Sequence, residues 1–160
     1  MTGVPPSQLT LEITESSLLQ DADSSHAKVA ALSALGARIA LDDFGTGYSS
    51  FAYLQQLQVR CLKIDKSFVD GLSAEPGKDT RTEPKLVRSI VDLSDALGLE
   101  TIAEGTETED QFEALGRLGC QFGQGFVFSP AVPPEDMRSL LRTFSASLRP
   151  AEKALGSSQR

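Results

Sequence analysis

Two adjacent carboxylates, Asp42 and Asp43, end an apolar run and stand directly before a glycine- and serine-rich segment, residues 44–50. Oxygen donors at the end of a buried strand, with a supple turn beyond them, suit Mg²⁺ or Mn²⁺. An Asx-turn that only closes the strand would use the same residue types. Because successive strand side chains point to opposite faces, the two carboxylates are not predicted to form one patch by themselves.

The same arrangement recurs along the chain, since polar side chains follow each of the five apolar runs that predict strands. In chain order these side chains are Glu12 and Glu15, Asp42 and Asp43, Lys63 and Asp65, Glu104 and Glu107, and Gln124. Strands that alternate with helices over short connections are parallel, and their carboxyl ends meet at one edge of the sheet. The chain is therefore predicted to be an α/β protein with five strand–helix units and one polar, chemically active edge.

Some boundaries of these elements can be predicted. Helical spacing predicts helices at 24–35 and from Pro84 onward, the latter burying Leu86, Ile90, Leu93 and Leu97. The third and last strands are predicted at 59–64 and 121–128, and the spacing of Thr108 and Gln111 predicts a capping box. A final helix is expected to end near residue 144. The prediction is one domain over 1–144 and a disordered tail over 145–160.

Composition limits the partners. A net charge of -7 on 160 residues argues against DNA, RNA or an anionic membrane as the default partner. A transmembrane-length apolar run and a secretory leader are both absent from the sequence. Two cysteines without metal-type spacing indicate small core residues in a reducing cytoplasm, and a single histidine favours Mg²⁺ or Mn²⁺ over Zn²⁺.

Five ordered segments resemble a known family. They are Leu-Glu-Ile-Thr-Glu (11–15), Asp-Asp-Phe-Gly-Thr-Gly-Tyr-Ser-Ser (42–50), Leu-Lys-Ile-Asp-Lys (62–66), Ile-Ala-Glu-Gly-Thr-Glu (102–107) and Gly-Gln-Gly-Phe (123–126). Together they resemble the EAL domain, the bacterial phosphodiesterase of cyclic di-GMP, over roughly residues 3–137. The resemblance implies a partial TIM-like (β/α) barrel of the EAL type. A whole barrel of this kind needs about 250 residues, and its first part, with a Glu-x-Leu-x-Arg strand and a metal-binding Asn, has no counterpart here.

The resemblance also implies roles for single residues. Glu12, Asp42, Asp43 and Glu104 would ligate two ions, Mg²⁺ or Mn²⁺, with Glu104 alternatively the general base. Lys63 would hold the attacking water or a phosphate oxygen, Glu107 would support Glu104, and Gln124 would orient the site. Glu15 would anchor the loop at 43–50, through which a homodimer could form.

The implied function is hydrolysis of cyclic di-GMP to pGpG by two-metal catalysis, impaired in this chain alone because part of the barrel is missing. The alternative is a degenerate, non-catalytic EAL module that binds nucleotide or a protein partner in cyclic di-GMP signalling. Either function fits a cytoplasmic, truncated part of a longer protein with other signalling domains. The substrate-binding residues are not predicted.

Two local features test the resemblance. Glu113-Ala-Leu-Gly-Arg117 fits the Glu-x-Leu-x-Arg motif letter for letter, yet it lies inside the helix that Thr108 should cap. It is therefore predicted to be a helical surface, far from the strand ends. Thr106 stands where the family usually has Val.

Overall fold

The structure is a computed structural model that describes residues 3–20, 22–45, 51–72 and 83–148. Its strands are β1 (Thr10–Thr14), β2 (Arg38–Phe44), β3 (Cys61–Ile64), β4 (Glu100–Ala103) and β5 (Phe122–Gly123). They form one parallel sheet in the order β1-β2-β3-β4-β5. The predicted parallel α/β architecture is confirmed.

Helices connect the strands. They are α1 (Glu15–Gln20), α2 (Ala22–Ala34), α3 (Phe51–Gln56), α4 (Lys66–Asp70), α5 (Glu83–Leu97), α6 (Glu109–Arg117) and α7 (Pro134–Leu148), and a 3-10 turn at Pro6–Gln8 precedes β1. The chain divides into two compact units, Met1–Phe128 and Ser129–Arg160. The first unit contains the whole sheet and α1 to α6, and the second contains α7.

The core of the first unit combines buried sheet residues, such as Leu41, Leu62 and Ile64, with buried residues of the helices. Helix α5 buries Val87, Ile90, Val91 and Ser94. The predicted face was wrong at its start, because Leu86 is 43% exposed and its neighbour Val87 is buried. The buried face of α5 is therefore shifted by one residue at its start, with Val87 rather than Leu86 in the core.

The helix predicted at 24–35 is α2 (Ala22–Ala34), and a short helix that was not predicted, α1, precedes it. The Thr14 hydroxyl accepts a hydrogen bond from the Ser17 backbone N–H at 3.4 Å. This bond caps a helix that begins at Glu15, directly after β1. Thr14 in the Thr-Glu-Ser-Ser segment (14–17) was therefore a signal for the start of a helix, although the segment has no apolar periodicity.

The last strand is much shorter than the predicted 121–128. After β5 the chain wraps around Thr106, whose N–H donates to the Gln124 carbonyl and whose carbonyl accepts from the Val127 N–H, both at 3.0 Å. A Cβ on Gly125 would lie 2.1 Å from the Thr106 carbonyl oxygen, so only glycine permits this approach. Bonding to one loop residue replaces the expected strand ladder.

Helix α7 runs to Leu148, four residues beyond the predicted end near 144. Residues 149–160, most of the predicted tail, lie outside the described residues. The extent of the domain, 1–144, stays a prediction. Within the described residues, the structure contains no helix long and apolar enough to cross a membrane.

The two cysteines are free thiols, and Cys61 is buried, as the core interpretation predicts. Burial raises the pKa of Cys61 to about 11, and burial also raises the pKa of Cys120. Both side chains are therefore neutral near pH 7 and contribute packing rather than charge.

We expect Thr106→Val to stabilise the fold. Thr106 is fully buried, and in the described part of the chain its hydroxyl has no hydrogen-bond partner. Removing an unpaired buried hydroxyl while keeping the shape should raise the free energy of unfolding by about 1–2 kcal/mol. For a chain of this size that corresponds to a melting temperature higher by about 2–8 °C, measurable by thermal unfolding.

Thr101→Val is the matched control for this change. Thr101 is equally buried, but its hydroxyl accepts a hydrogen bond from the Gln121 backbone N–H at 3.2 Å. Valine at position 101 leaves that N–H without its acceptor and should lower the melting temperature. Shifts of the same sign in the two variants would contradict the assignment of Thr106 as an unpaired group.

Candidate metal centre

Parallel pairing brings the predicted site residues to one edge of the sheet. Thr14 on β1 pairs with Asp42 on β2, and Leu41 on β2 pairs with Leu62 on β3. The ladder between β3 and β4 ends with the Glu104 N–H donating to the Ile64 carbonyl at 3.0 Å. Carboxyl ends of neighbouring strands therefore lie side by side, as the alternating pattern predicts.

Lys63 is the centre of this edge. Its side chain is 4% exposed, and its Nζ lies 2.8 Å from Glu12 Oε2 and 3.1 Å from Asp42 Oδ1, with a third ion pair to Glu104 Oε1. An ammonium has three N–H donors, so each of them has a carboxylate acceptor here. The buried cation is thereby fully paired, and three of the predicted site carboxylates share it.

The environment of Lys63 stabilises its charged, ammonium form. Burial by itself lowers the pKa of Lys63, but hydrogen bonds to Glu104, Glu12 and Asp42 outweigh it and raise the pKa above its ordinary value. Lys63 is therefore an ammonium at neutral pH. It supplies a fixed positive charge in a region otherwise dominated by acids.

Asp42 and Asp43 do lie in one patch, which corrects the prediction from strand alternation. The register between β2 and β3 shifts between Leu41 and Phe44, and Asp43 has a φ of 55°. A bulge with one residue in the left-handed region breaks the alternation of side chains and re-aims the second carboxylate. The irregular backbone, rather than the regular strand, thus brings the two acids together.

These two residues form a group with Glu104. One carboxylate oxygen from each of Asp42, Asp43 and Glu104 lies within 4.8 Å of the others, and all three residues are half-buried. Clustered carboxylate oxygens are the ligands that Mg²⁺ and Mn²⁺ prefer, so the donor set fits such an ion. Asp42 and Glu104 also contact Lys63, so the same two carboxylates are available to the ammonium and to a metal ion.

The remaining predicted ligand, Glu12, lies outside this group of three. Its side chain is 49% exposed and contacts Lys63. Glu12 is therefore linked to the group through the Lys63 ammonium that it shares with Asp42 and Glu104. Its role as a metal ligand stays a prediction.

Glu15 lies at the base of the bulge. It is 2% exposed, begins α1, and its Oε2 accepts a hydrogen bond from the Gly45 N–H at 3.3 Å. The carboxylate thus holds the backbone two residues after Asp43. Residues 46–50, the rest of the predicted anchored loop, lie outside the described residues. The anchor role of Glu15 stays a prediction that this contact supports.

Glu107 and Gln124 are not brought into the carboxylate group. The Glu107 side chain pairs with Lys66 at 2.9 Å, and Lys66 also pairs with Asp70 at 2.7 Å. The bond to Asp70, followed by the bond to Glu107, raises the pKa of Lys66. Gln124 is exposed and is placed by its backbone, which bonds Ala103 and Thr106. Their predicted catalytic roles stay predictions.

The competing Glu-x-Leu-x-Arg match lies on a helix surface, as predicted. Glu113 is 68% exposed at its side chain and pairs with Arg117 one turn later, while Leu115 is buried. Helix α6 contains all three residues. The segment is therefore an ordinary amphipathic helix and contributes nothing to the polar edge.

Gln111 has a role near the site that the sequence did not predict. The capping box of Thr108 and Gln111 was predicted and is confirmed, with both of its hydrogen bonds present. The Gln111 side chain makes a further bond, accepting from the Glu107 N–H at 2.8 Å. A Gln at the third helical position, directly after a loop rich in predicted site residues, was the available signal.

The sequence of this chain matches a known protein family. The model of the EAL domain family matches residues 1–131. A curated relative from Pseudomonas aeruginosa, the bifunctional diguanylate cyclase/cyclic di-GMP phosphodiesterase MucR, is 45% identical over 135 residues. The match covers 84% of this chain and 19% of MucR, so the chain spans about a fifth of that relative's length.

Solved structures agree in sequence and in shape. The PaMucR phosphodiesterase in its c-di-GMP complex aligns with a TM-score of 0.77 and 44% identity, over 84% of this chain and 52% of that one. Klebsiella pneumoniae BlrP1 in a manganese/cy-diGMP complex aligns with a TM-score of 0.70 and 32% identity, over 80% of this chain and 31% of that one. The predicted fold class, part of a TIM-like (β/α) barrel of the EAL type, is confirmed.

Proposed function

The chain belongs to the EAL domain family, and from that premise we propose that it carries the metal-binding part of a phosphodiesterase that hydrolyses cyclic di-GMP to pGpG. The observation that carries the proposal is the gathering of Glu12, Asp42 and Glu104 on one buried ammonium, Lys63. The relatives support the substrate, because MucR is named a cyclic di-GMP phosphodiesterase and PaMucR was solved with c-di-GMP.

The acidic group would hold the cofactor. Asp42, Asp43 and Glu104 offer oxygens close enough to share an ion, and the family resemblance implies two ions, Mg²⁺ or Mn²⁺. The manganese complex of BlrP1 supports a divalent cation. When bound, such ions activate a water molecule and neutralise charge on the phosphate oxygens.

Lys63 would position the phosphodiester or the attacking water. A phosphate approaching this edge meets several carboxylates, which repel it, and Lys63 supplies the opposite charge within hydrogen-bond reach. All three N–H donors of Lys63 already have carboxylate acceptors. A phosphate oxygen or water therefore binds Lys63 in exchange for one carboxylate, most readily the half-exposed Glu12.

The other predicted residues take supporting roles in this proposal. Glu104 ligates an ion or takes a proton from the attacking water, Glu107 supports it from the Lys66 side, and Gln124 orients the site from β5. Glu15 holds the loop at 43–50, through which a homodimer could form. We place the protein in the cytoplasm, joined to other signalling domains in a longer chain.

Turnover requires more of the barrel than this chain contains. In the part of the chain that the structure describes, the sheet has five strands, whereas a (β/α)₈ barrel has eight. Leu9 and Leu11 are 46% and 36% exposed at the β1 side of the sheet, and Phe122 is 53% exposed at the β5 side. Such exposed edges suit the missing strands, and they equally suit a protein partner in the alternative function, a non-catalytic EAL module.

Metal-dependent stabilisation tests the proposal. Clustered carboxylates repel one another, and an ion that binds only the folded state stabilises it by mass action. We expect saturating Mg²⁺ or Mn²⁺ to raise the thermal midpoint by several degrees, and more than Ca²⁺ does. An ion concentration of about 100 times Kd contributes about 2.7 kcal/mol.

Two acid-to-amide variants separate the proposed site from the helical motif. Asp42→Asn should abolish the metal-dependent shift, because it removes the negative charge of a carboxylate in the acidic group. Glu113→Gln should leave it unchanged, since Glu113 lies on the exposed face of α6. Equal metal-dependent shifts of the thermal midpoint in the two variants would contradict the assignment of the metal centre.

A further inference from the structure

Gln111 joins three parts of the chain behind the metal centre. Its side chain is almost fully buried, at 4% exposure. Its Oε1 accepts from the backbone N–H groups of Glu107 and Thr108, at 2.8 and 3.1 Å. Its Nε2 donates to the Val69 carbonyl at 3.5 Å. One amide thus connects helix α6, the loop that follows β4, and helix α4.

The same loop contacts α4 at a second place. The Lys66 ammonium pairs with the Glu107 carboxylate. The Lys66 methylenes lie so close to Gly105 that a Cβ there would come within 2.5 Å of Lys66 Cγ, and Gly105 has a φ of 63°. The residues after Glu104 are therefore pressed onto α4 and tied to it by Gln111.

Glu104 lies between two fixed points. Before it, its own N–H donates to the Ile64 carbonyl as the last rung of the β3–β4 ladder. After it, only Gly105 and Thr106 separate it from Glu107, whose N–H is held by Gln111. The direction in which the Glu104 carboxylate leaves the sheet thus depends on both attachments.

We propose that Gln111 is a positioning residue for Glu104, acting through the backbone of residues 105–108. This inference rests on the proposed function, in which Glu104 is a ligand of the metal centre. A helix cap alone requires only the bond to the Thr108 N–H. The bonds to Glu107 and Val69 go beyond capping, and they fix the loop on α4 rather than the helix end.

Thr108→Ala is the matched control, because Thr108 and Gln111 are the two halves of one capping box. Each of Gln111→Met and Thr108→Ala removes part of the cap and lowers the thermal midpoint, and Gln111→Met lowers it more because it breaks more hydrogen bonds. Only Gln111→Met also releases the Glu107 N–H and the Val69 carbonyl. A purely structural role of Gln111 therefore predicts the same metal affinity in both variants.

The experiment measures the Mn²⁺ dissociation constant of the 160-residue chain and its variants by calorimetry. Loss of a group hydrogen-bonded to a ligand commonly costs about 10–100-fold in metal affinity, and Gln111 acts on Glu104 only through the backbone, so we expect about fivefold to tenfold weaker binding for Gln111→Met. Thr108→Ala should stay within about twofold of the parent. Gln111→Asn stays uncharged, but its amide is one methylene shorter and cannot keep the bonds to both the Glu107 N–H and the Val69 carbonyl. It should weaken Mn²⁺ binding in the same direction, and it takes the place of Gln111→Met where that variant does not fold.

The outcomes separate the two proposals. A parent chain that does not bind Mn²⁺ overturns the metal centre, and the role of Gln111 with it. A parent that binds Mn²⁺, together with equal affinities in Gln111→Met and Thr108→Ala, overturns the positioning role alone. Gln111→Asn with the Mn²⁺ affinity of the parent would likewise overturn the positioning role.

Discussion

Joined to the upstream half of an EAL domain, this chain should hydrolyse cyclic di-GMP at least about 10³-fold faster than the 160-residue chain alone. The family resemblance implies two further metal ligands, a Glu and an Asn, in the upstream strands of an EAL domain, which have no counterpart in this chain. Each lost ligand or support commonly costs about 10–100-fold, and losses within one cooperating site leave little activity. The rate of pGpG formation is measured by chromatography for each protein in the presence of Mn²⁺. The ratio of the two rates tests the prediction.

The upstream half can be taken from the PaMucR phosphodiesterase, which is 44% identical in the matched part. Asp42→Asn in the joined protein is the control, and it should be as slow as the chain alone. A joined protein that binds cyclic di-GMP without hydrolysing it would favour the non-catalytic alternative. Turnover by the isolated chain at about one per second or more would refute the need for a completed barrel.

The second large effect concerns the buried cation. Lys63→Met should lower the free energy of unfolding by about 2–3 kcal/mol at neutral pH, because it removes the cation that Glu12, Asp42 and Glu104 share. Breaking a fully buried ion pair costs about 3–5 kcal/mol. The three carboxylates are 49%, 19% and 22% exposed, so solvent screening reduces that figure. Urea unfolding of the metal-free chain measures the loss.

The same substitution should tighten metal binding. Like charges about 4 Å apart repel by about 1 kcal/mol even in water, so removing the ammonium should lower the Mn²⁺ dissociation constant by roughly fivefold or more. Calorimetric titration with Mn²⁺ compares the two chains. Weaker binding by Lys63→Met would contradict competition between the ammonium and the ion for Asp42 and Glu104.

Lys66→Met is the control for the stability measurement. Lys66 also contacts two carboxylates, Asp70 and Glu107, but its side chain is 45% exposed and theirs are 46% exposed. Exposed pairs of this kind contribute at most about 1 kcal/mol. Equal losses of stability from the two substitutions would show that burial of Lys63 adds nothing.

The parallel sheet and its polar edge were predictable from the chain, because both follow from patterns local in sequence. Apolar runs alternate with amphipathic segments, and in parallel strands the carboxyl ends share an edge. The capping box at Thr108 and the helical position of Glu113 were likewise local and are confirmed. The start of α1 was local too, since Thr14 caps it, and periodicity alone missed it.

Three features required the tertiary structure, because each depends on contacts between residues far apart in sequence. The shifted register between β2 and β3 puts Asp43 with Asp42, against the alternation of a regular strand. The packing of Thr106 on Gly125 ends β5 after two residues. Lys63 could be identified from sequence as a lysine between two apolar residues of β3. Its three ion pairs, with Glu12, Asp42 and Glu104, could not, because they form only when strands distant in sequence lie side by side.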